Sequence, residues 1–317
     1  MAPLRIVFFG TAELACASLT ALTESPAAFT VVAVVTQPDR PKGRNLHPQP
    51  SPVKVLAAGK LLPVLQPDRA RHADFVETIG EFQPDLIVVV AYGQILPRAL
   101  LELPRFGCLN VHASLLPKYR GAAPIQWAIL NDERETGITI MKMDEGLDTG
   151  DMLAWESTPI APEDTAQTAH DRLATIGARL LVKTVPEYVA GKIIPRKQPE
   201  DGASYARKII KEDGRLDWAQ SARSLWNRVR ALVPWPGAYT FLPAQPRPHL
   251  LKIWQAEIVE RESGEAGEIL EAGNGRLVIA CGQQALRIVS LQREGGRRLS
   301  AREFLAGHPL RTGDQLT

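Results

Sequence analysis

The run Asp85-Leu-Ile-Val-Val-Val-Ala91 constrains the fold more than any other stretch of the chain. It is apolar without alternation and rich in β-branched residues, the signature of a strand covered on both faces. Leu4–Phe9 and Thr30–Thr36 read the same way. Between them, an Ala- and Leu-rich segment after Gly10-Thr11, and stretches 53–60 and 70–82, have the spacing of helices. Buried strands alternating with helices predict an α/β fold with a doubly wound, mostly parallel sheet. The turn after the first strand has a single glycine in place of G-x-G-x-x-G, so the dinucleotide fingerprint is missing. In such a sheet ligands sit beyond the carboxyl ends of the strands. Tyr92, Gly93, Gln94, Ile95 and Leu96 follow the Asp85 run and are expected to face that crevice.

At 317 residues two domains are expected. Asp164 to about Tyr188 is predicted as a long helix, and proline-broken residues 191–205 as a linker. That places one domain at 1–190 and another at 206–317. In the latter, Ser221–Leu232 is amphipathic, with Leu225, Trp226, Val229 and Leu232 on one face. Beyond it the texture changes to short runs broken by turns: 239–242, 250–259, 267–272, 276–280 and 285–291, then a short helix at 300–305. Regular short strands predict a small β-barrel or sandwich. Residues 196–317 hold 19 Lys and Arg against 14 Asp and Glu, and the remainder 18 against 21, so the second part is the basic one. This is the asymmetry expected of a polyanionic partner. No apolar run approaches the roughly 18 residues of a membrane span. Three widely spaced cysteines without a CxxC pair suit reduced thiols in a cytoplasm and argue against structural zinc.

The chemistry concentrates in Cys108-Leu-Asn-Val-His-Ala-Ser-Leu-Leu-Pro-Lys-Tyr-Arg-Gly-Ala-Ala-Pro124. Cys108–Val111 reads as a strand, on which Asn110 and His112, two apart, share a face. An amide donor and an imidazole are thus held side by side. A second candidate element is Gly146-Leu-Asp-Thr-Gly150, after the strand-like Ile138–Met143. Asp144, Glu145, Asp148 and Asp151 all fall in this segment, and spacing does not choose which acid meets His112. Residues 37–52 are too rich in proline and glycine to read as helix or strand, and such a long connection tends to be functional. Arg40, Lys42 and Arg44 make it cationic.

These stretches resemble the methionyl-tRNA formyltransferases over essentially the whole chain. The resemblance is carried by Thr36-Gln-Pro-Asp-Arg-Pro41 with Gly43-Arg44, Val89–Gly93, Asn110-Val-His112, Ser114–Pro117, Tyr119–Pro124, Gly146–Gly150 and Pro234-Trp-Pro236. The Asn110, His112 and Asp148 set is shared by the wider folate-dependent formyltransferase superfamily. The 36–44 loop and the small β-domain are what point to the tRNA enzymes. The resemblance implies a Rossmann-like catalytic domain followed by an OB-like β-barrel that binds tRNA. It also implies transfer of a formyl group from 10-formyltetrahydrofolate, without a metal, to the α-amino group of methionine on initiator tRNA, by a monomeric cytoplasmic enzyme. His112 is then expected to take the amine proton, Asn110 to donate to the formyl oxygen, and Asp148 to hold the tautomer of His112 and favour its charged form. Ser114, Leu115, Leu116, Pro117, Tyr92, Gln94, Ile95 and Leu96 are expected to line the folate cleft. Arg40, Lys42, Arg44 and Lys208 are expected to contact tRNA. Family members often carry lysines after this arginine, where the present chain has Asn45-Leu46-His47. The nearest rival is a folate-dependent formyltransferase acting on a sugar-nucleotide amine or a purine-precursor amine.

Overall fold

The computed structural model describes residues 2–42, 47–243, 248–260 and 264–317. The chain forms two compact units, the first from residues 1–124, 135–159 and 170–207, the second from 125–134, 160–169 and 208–317. In chain order the early elements are β1 (Leu4–Gly10), α1 (Leu14–Thr23), β2 (Phe29–Val35), β3 (Arg40–Lys42), β4 (His47–Gln49), α2 (Pro52–Gly59) and β5 (Val64–Leu65). Then come α3 (Ala73–Glu81), β6 (Leu86–Val90), α4 (Arg98–Leu101), β7 (Cys108–His112), β8 (Arg120–Gly121), α5 (Pro124–Leu130) and β9 (Glu135–Lys142). β10 (Met152–Pro159), α6 (Ala166–Val189) and β11 (Tyr205–Ala206) follow.

Seven strands make one sheet in the order β10-β9-β7-β6-β1-β2-β5. From β7 to β5 all pairs are parallel, while β9 runs antiparallel to β7 and β10 antiparallel to β9. All five residues of β6 are buried, as a strand covered on both faces requires. The chain lays β2 and β5 on one side of β1, then crosses back to lay β6 and β7 on the other. At that switch point Thr11 N and Ala12 N donate to Ala91 O (3.3 and 3.4 Å), and Thr11 Oγ1 donates to Tyr92 O (2.9 Å).

Three features depart from the sequence reading. β10 is an edge strand with intermittent burial, so its sequence carries no strong strand pattern. Residues 37–52, expected to be neither helix nor strand, contain the antiparallel pair of β3 and β4, with Pro41 opposite Pro48. Alternate pairs of an antiparallel ladder make no hydrogen bonds, so two facing prolines forfeit no ladder donor. Thr36 Oγ1 and Ser51 Oγ, 2.7 Å apart, close the root of this hairpin. Lys54 Nζ and Gln66 Nε2 hold Asp39 there, at 2.7 and 2.8 Å, and their bonds lower the pKa of its carboxyl. Residues 191–205, expected as a linker, are hydrogen-bonded into the first unit. Met152 and Arg196 exchange backbone bonds (2.8 and 2.9 Å), and β11 pairs in parallel with β8. Proline breaks helix but leaves extended backbone free to pair.

The second unit holds α7 (Ala222–Ala231), β12 (Ala238–Leu242), β13 (His249–Val259), β14 (Ile269–Gly273), β15 (Arg276–Ala280), β16 (Ala285–Arg293), β17 (Leu299–Ser300) and α8 (Ala301–Gly307). The predicted face of α7 is buried at Leu225, Val229 and Leu232. The sheet is antiparallel, in the order β12-β13-β16-β15-β14, with β17 on β16. Residues 313–317 bond to both of its edges. Gly313 N donates to Ile269 O and Leu316 N to Gly267 O (2.9 Å each), while Phe241 N donates to Thr317 O (2.8 Å). The segment makes a small barrel of the sheet, and Leu316 packs into its core at 3% exposure. Leu316→Ala is therefore expected to destabilise the barrel by about 2–4 kcal/mol, read as a lower midpoint in urea unfolding followed by tryptophan fluorescence.

Candidate active site

The centre of the first sheet positions the candidate chemistry. In β7, Asn110 is registered against Val89 of β6 and Met141 of β9, and His112 against Thr139. Beyond the strand, Thr139 Oγ1 donates to Ser114 O (2.7 Å) and accepts from Leu116 N (3.1 Å), and Ser114 Oγ donates to Lys118 O (2.6 Å). These bonds fix a tight turn that returns the chain to His112. Tyr119, in left-handed backbone with φ 62°, places its carbonyl oxygen 2.9 Å from His112 Nε2. A carbonyl only accepts, so Nε2 carries the hydrogen and Nδ1 is the nitrogen left to take a proton.

Of the four acids, Asp148 reaches the ring. Its Oδ2 lies 3.6 Å from His112 Nδ1, and the two side chains are 14% and 6% exposed. Gly121 N donates to Oδ2 (2.8 Å) and Asn110 Nδ2 to Oδ1 (3.2 Å). The other acids have different partners. Asp144 Oδ1 shapes the turn by accepting from Gly146 N (3.0 Å) and Thr149 Oγ1 (2.7 Å), Glu145 faces Arg98 at 3.7 Å, and the Asp151 carbonyl pairs with Lys142 N. The expectation that Asp148 fixes the tautomer of His112 is corrected, since the Tyr119 carbonyl does so and Asp148 faces the opposite nitrogen. Among the described residues the second N–H of the Asn110 amide has no acceptor.

The Asp148 turn is strained and supported. Asp148 has φ 53°, in the left-handed region, and a β-carbon on Gly150 would fall 1.8 Å from Lys142 O. Gln198 Nε2 donates to the carbonyls of both Asp148 and Gly150 at 2.8 Å, while its Oε1 accepts from Arg120 Nε (3.0 Å) and Nη2 (2.8 Å). Gln198, the Tyr119 carbonyl and the Gly121 amide escaped sequence reasoning. The last two are backbone groups, and Gln198 lies in the stretch read as a linker.

The residues expected to line a cleft divide. Tyr92, Leu96, Ser114 and Leu116 are buried in the protein, and the Tyr92 ring packs edge-on against Phe9. Burial pushes the Tyr92 phenol up to about 12, and its hydroxyl has no partner among the described residues. Gln94 pins the chain near residue 70, accepting from Ala70 N at 2.9 Å. Leu115 and Pro117 are half-buried, and Ile95 is exposed. Of the expected tRNA contacts, Arg40 and Lys208 are exposed, Lys42 ends β3, and Arg44 lies outside the described residues. Among the described residues no group of three or more His, Cys, Asp or Glu is placed to hold a metal ion. No helix there is long and apolar enough to cross a membrane.

Residues 4–185 match the formyl transferase family, and residues 208–309 match the formyl transferase C-terminal domain. The methionyl-tRNA formyltransferase of Citrifermentans bemidjiense is 50% identical over 316 residues, spanning 100% of this chain and 97% of that protein. This chain belongs to the methionyl-tRNA formyltransferase family. The Caldanaerobacter subterraneus member is 50% identical over 312 residues, covering 98% and 99% of the two chains. Among solved structures, an N-formyltransferase of Helicobacter canadensis with folinic acid and dTDP-3-aminofucose aligns with a TM-score of 0.64 at 18% identity. That alignment covers 90% of this chain and 99% of the other. HypX of Aquifex aeolicus in complex with tetrahydrofolic acid also aligns at a TM-score of 0.64, with 19% identity, over 99% of this chain and 50% of its own. At such identities the likeness is one of fold.

Gly121, whose amide donates to Asp148, also leaves no room for a side chain. Its φ is +114°, and a β-carbon would lie 2.8 Å from Ala206 O. Gly121→Ala is expected to destabilise the first unit by about 1–3 kcal/mol and to lower turnover in the folded fraction, checked by thermal denaturation alongside the formyl-transfer assay.

Proposed function

We propose that this protein transfers the formyl group of 10-formyltetrahydrofolate to the α-amino group of methionine carried by initiator tRNA, in the cytoplasm. The observation that carries the reading is the convergence of Asn110 and His112 on the Asp148 carboxylate, in a chain 50% identical along its length to proteins of that name. A folate is the formyl donor of the family. The amine must be neutral to attack, and an α-amino group titrates at about 7.7–8.0, so little of its binding energy goes into deprotonation near neutral pH. As the carbon–nitrogen bond forms, the formyl oxygen gains charge and the nitrogen becomes acidic. Asn110 meets the oxygen with its remaining N–H. His112 takes the proton at Nδ1, with Asp148 3.6 Å away to stabilise the imidazolium, and returns it to the departing folate nitrogen. Tyr119 O keeps the ring oriented through the cycle.

The direct test supplies the protein with 10-formyltetrahydrofolate and either charged initiator tRNA or a sugar-nucleotide amine, and looks for formylmethionine. Formylation of the sugar amine alone would refute the reading. Asn110→Ala is expected to lower kcat by about 10²–10³, and Asp148→Ala to lower it too, with tRNA affinity nearly intact in filter binding.

Arg40, Lys42, Arg44 and Lys208 are the proposed contacts to the tRNA backbone. The clamped root of the β3–β4 hairpin supports this reading for Arg40 and Lys42, because it ties the strand that carries them to the sheet carrying the site. The double variant Arg40→Ala/Lys42→Ala is expected to weaken tRNA binding and to reduce its log–log salt slope by about 1–2. Folate binding, followed by fluorescence, should be unchanged.

A further inference from the structure

Two groups decide how His112 is presented: the Tyr119 carbonyl at Nε2 and the Asp148 carboxylate, carried on its turn, opposite Nδ1. Both are held by one short strap, residues 198–206. At one end Gln198 Nε2 donates to the Asp148 and Gly150 carbonyls at 2.8 Å. At the other, Ser204 Oγ accepts from Tyr119 N at 2.9 Å, Ser204 O accepts from Arg120 N at 2.8 Å, and Ser204 N donates to Pro117 O at 3.3 Å. The β8–β11 pair then brings Ala206 O to Ala122 N (2.8 Å) and Ala123 N (3.2 Å). Arg120 joins the two ends, donating through its side chain to Gln198 and through its backbone to Ser204.

We propose that Gln198 and Ser204 are positioning residues for the formyl transfer, Gln198 by holding the Asp148 turn and Ser204 by holding the Tyr119 peptide against His112. The inference rests on the function proposed above. Neither residue touches the reacting atoms in this scheme. Asp148 occupies left-handed backbone with φ 53°, so the turn needs outside support, which the Gln198 amide supplies through two carbonyls at once. Tyr119, also left-handed at φ 62°, has the Ser204 hydroxyl on its N–H. Displacing a catalytic group by about 1 Å costs up to about 100-fold in rate, so loss of either prop is expected in kcat rather than in substrate binding.

The test separates this from plain structural support. Gln198→Glu keeps the acceptor that Arg120 uses but replaces the donor facing the two carbonyls. Ser204→Ala removes only the hydroxyl and leaves the backbone bonds of residue 204 in place, whereas Ser204→Thr restores the hydroxyl. For wild type and the three variants, kcat and both KM values are measured with initiator methionyl-tRNA and 10-formyltetrahydrofolate, alongside thermal denaturation. The expected result is kcat lower by about 10- to 100-fold in Gln198→Glu and Ser204→Ala, unchanged KM for folate, and Ser204→Thr close to wild type. Wild-type kcat in either weakened variant would overturn the proposal for that residue, as would a rise in KM at constant kcat. A variant that is unfolded at the assay temperature shows a structural role and overturns it equally. If wild type makes no formylmethionine, the function itself fails, which is a different outcome from active wild type with indifferent variants.

Discussion

A carboxylate that is 14% exposed has to be met by donors, and at Asp148 the way this is done organises the whole site. Gly121 brings a backbone amide from β8, and Asn110 brings a side-chain amide from β7 itself. The acid therefore ties three segments together: β7, β8 and the turn after β9. Among the described residues its oxygens are met by neutral dipoles rather than by an arginine or lysine. A fixed cation there would compete with the imidazolium of the proposed mechanism.

The division of labour around His112 follows from the same geometry. Its orientation comes from a peptide carbonyl and its electrostatic support from a side chain, so the two can be altered separately. Peptide groups make durable orienting elements because no side-chain substitution at their own position removes them. Their weakness is that they move with the chain. In this protein the chain in question is anchored by β11 and by Ser204, both from a segment over eighty residues further along.

Much of this was legible in the sequence, and what was not has identifiable physical causes. The buried strands β1, β2 and β6 announce themselves because a run apolar on both faces has few other homes. Asn110 and His112 could be placed side by side from strand periodicity alone, and α7 from its spaced Leu225, Val229 and Leu232. Choosing Asp148 among four neighbouring acids needed the family resemblance, because a turn has no periodicity to exploit. β10 was missed because an edge strand buries little. The β3–β4 pair was missed because proline counts against a strand in any local reading, while the harmless register of Pro41 opposite Pro48 is a property of two segments together. Gln198 was illegible for a related reason: an extended polar stretch looks like a connector until the surface it lies on is known.

The backbone of Asp148 carries one more implication. At φ 53° the position suits glycine, asparagine and aspartate and disfavours longer or branched side chains. Glycine and asparagine meet the conformational demand but bring no anion, and glutamate brings the anion with a backbone poorly matched to the turn. Aspartate answers both requirements with the least strain. A scaffold designed to copy this geometry would thus have to copy the bend in the main chain first.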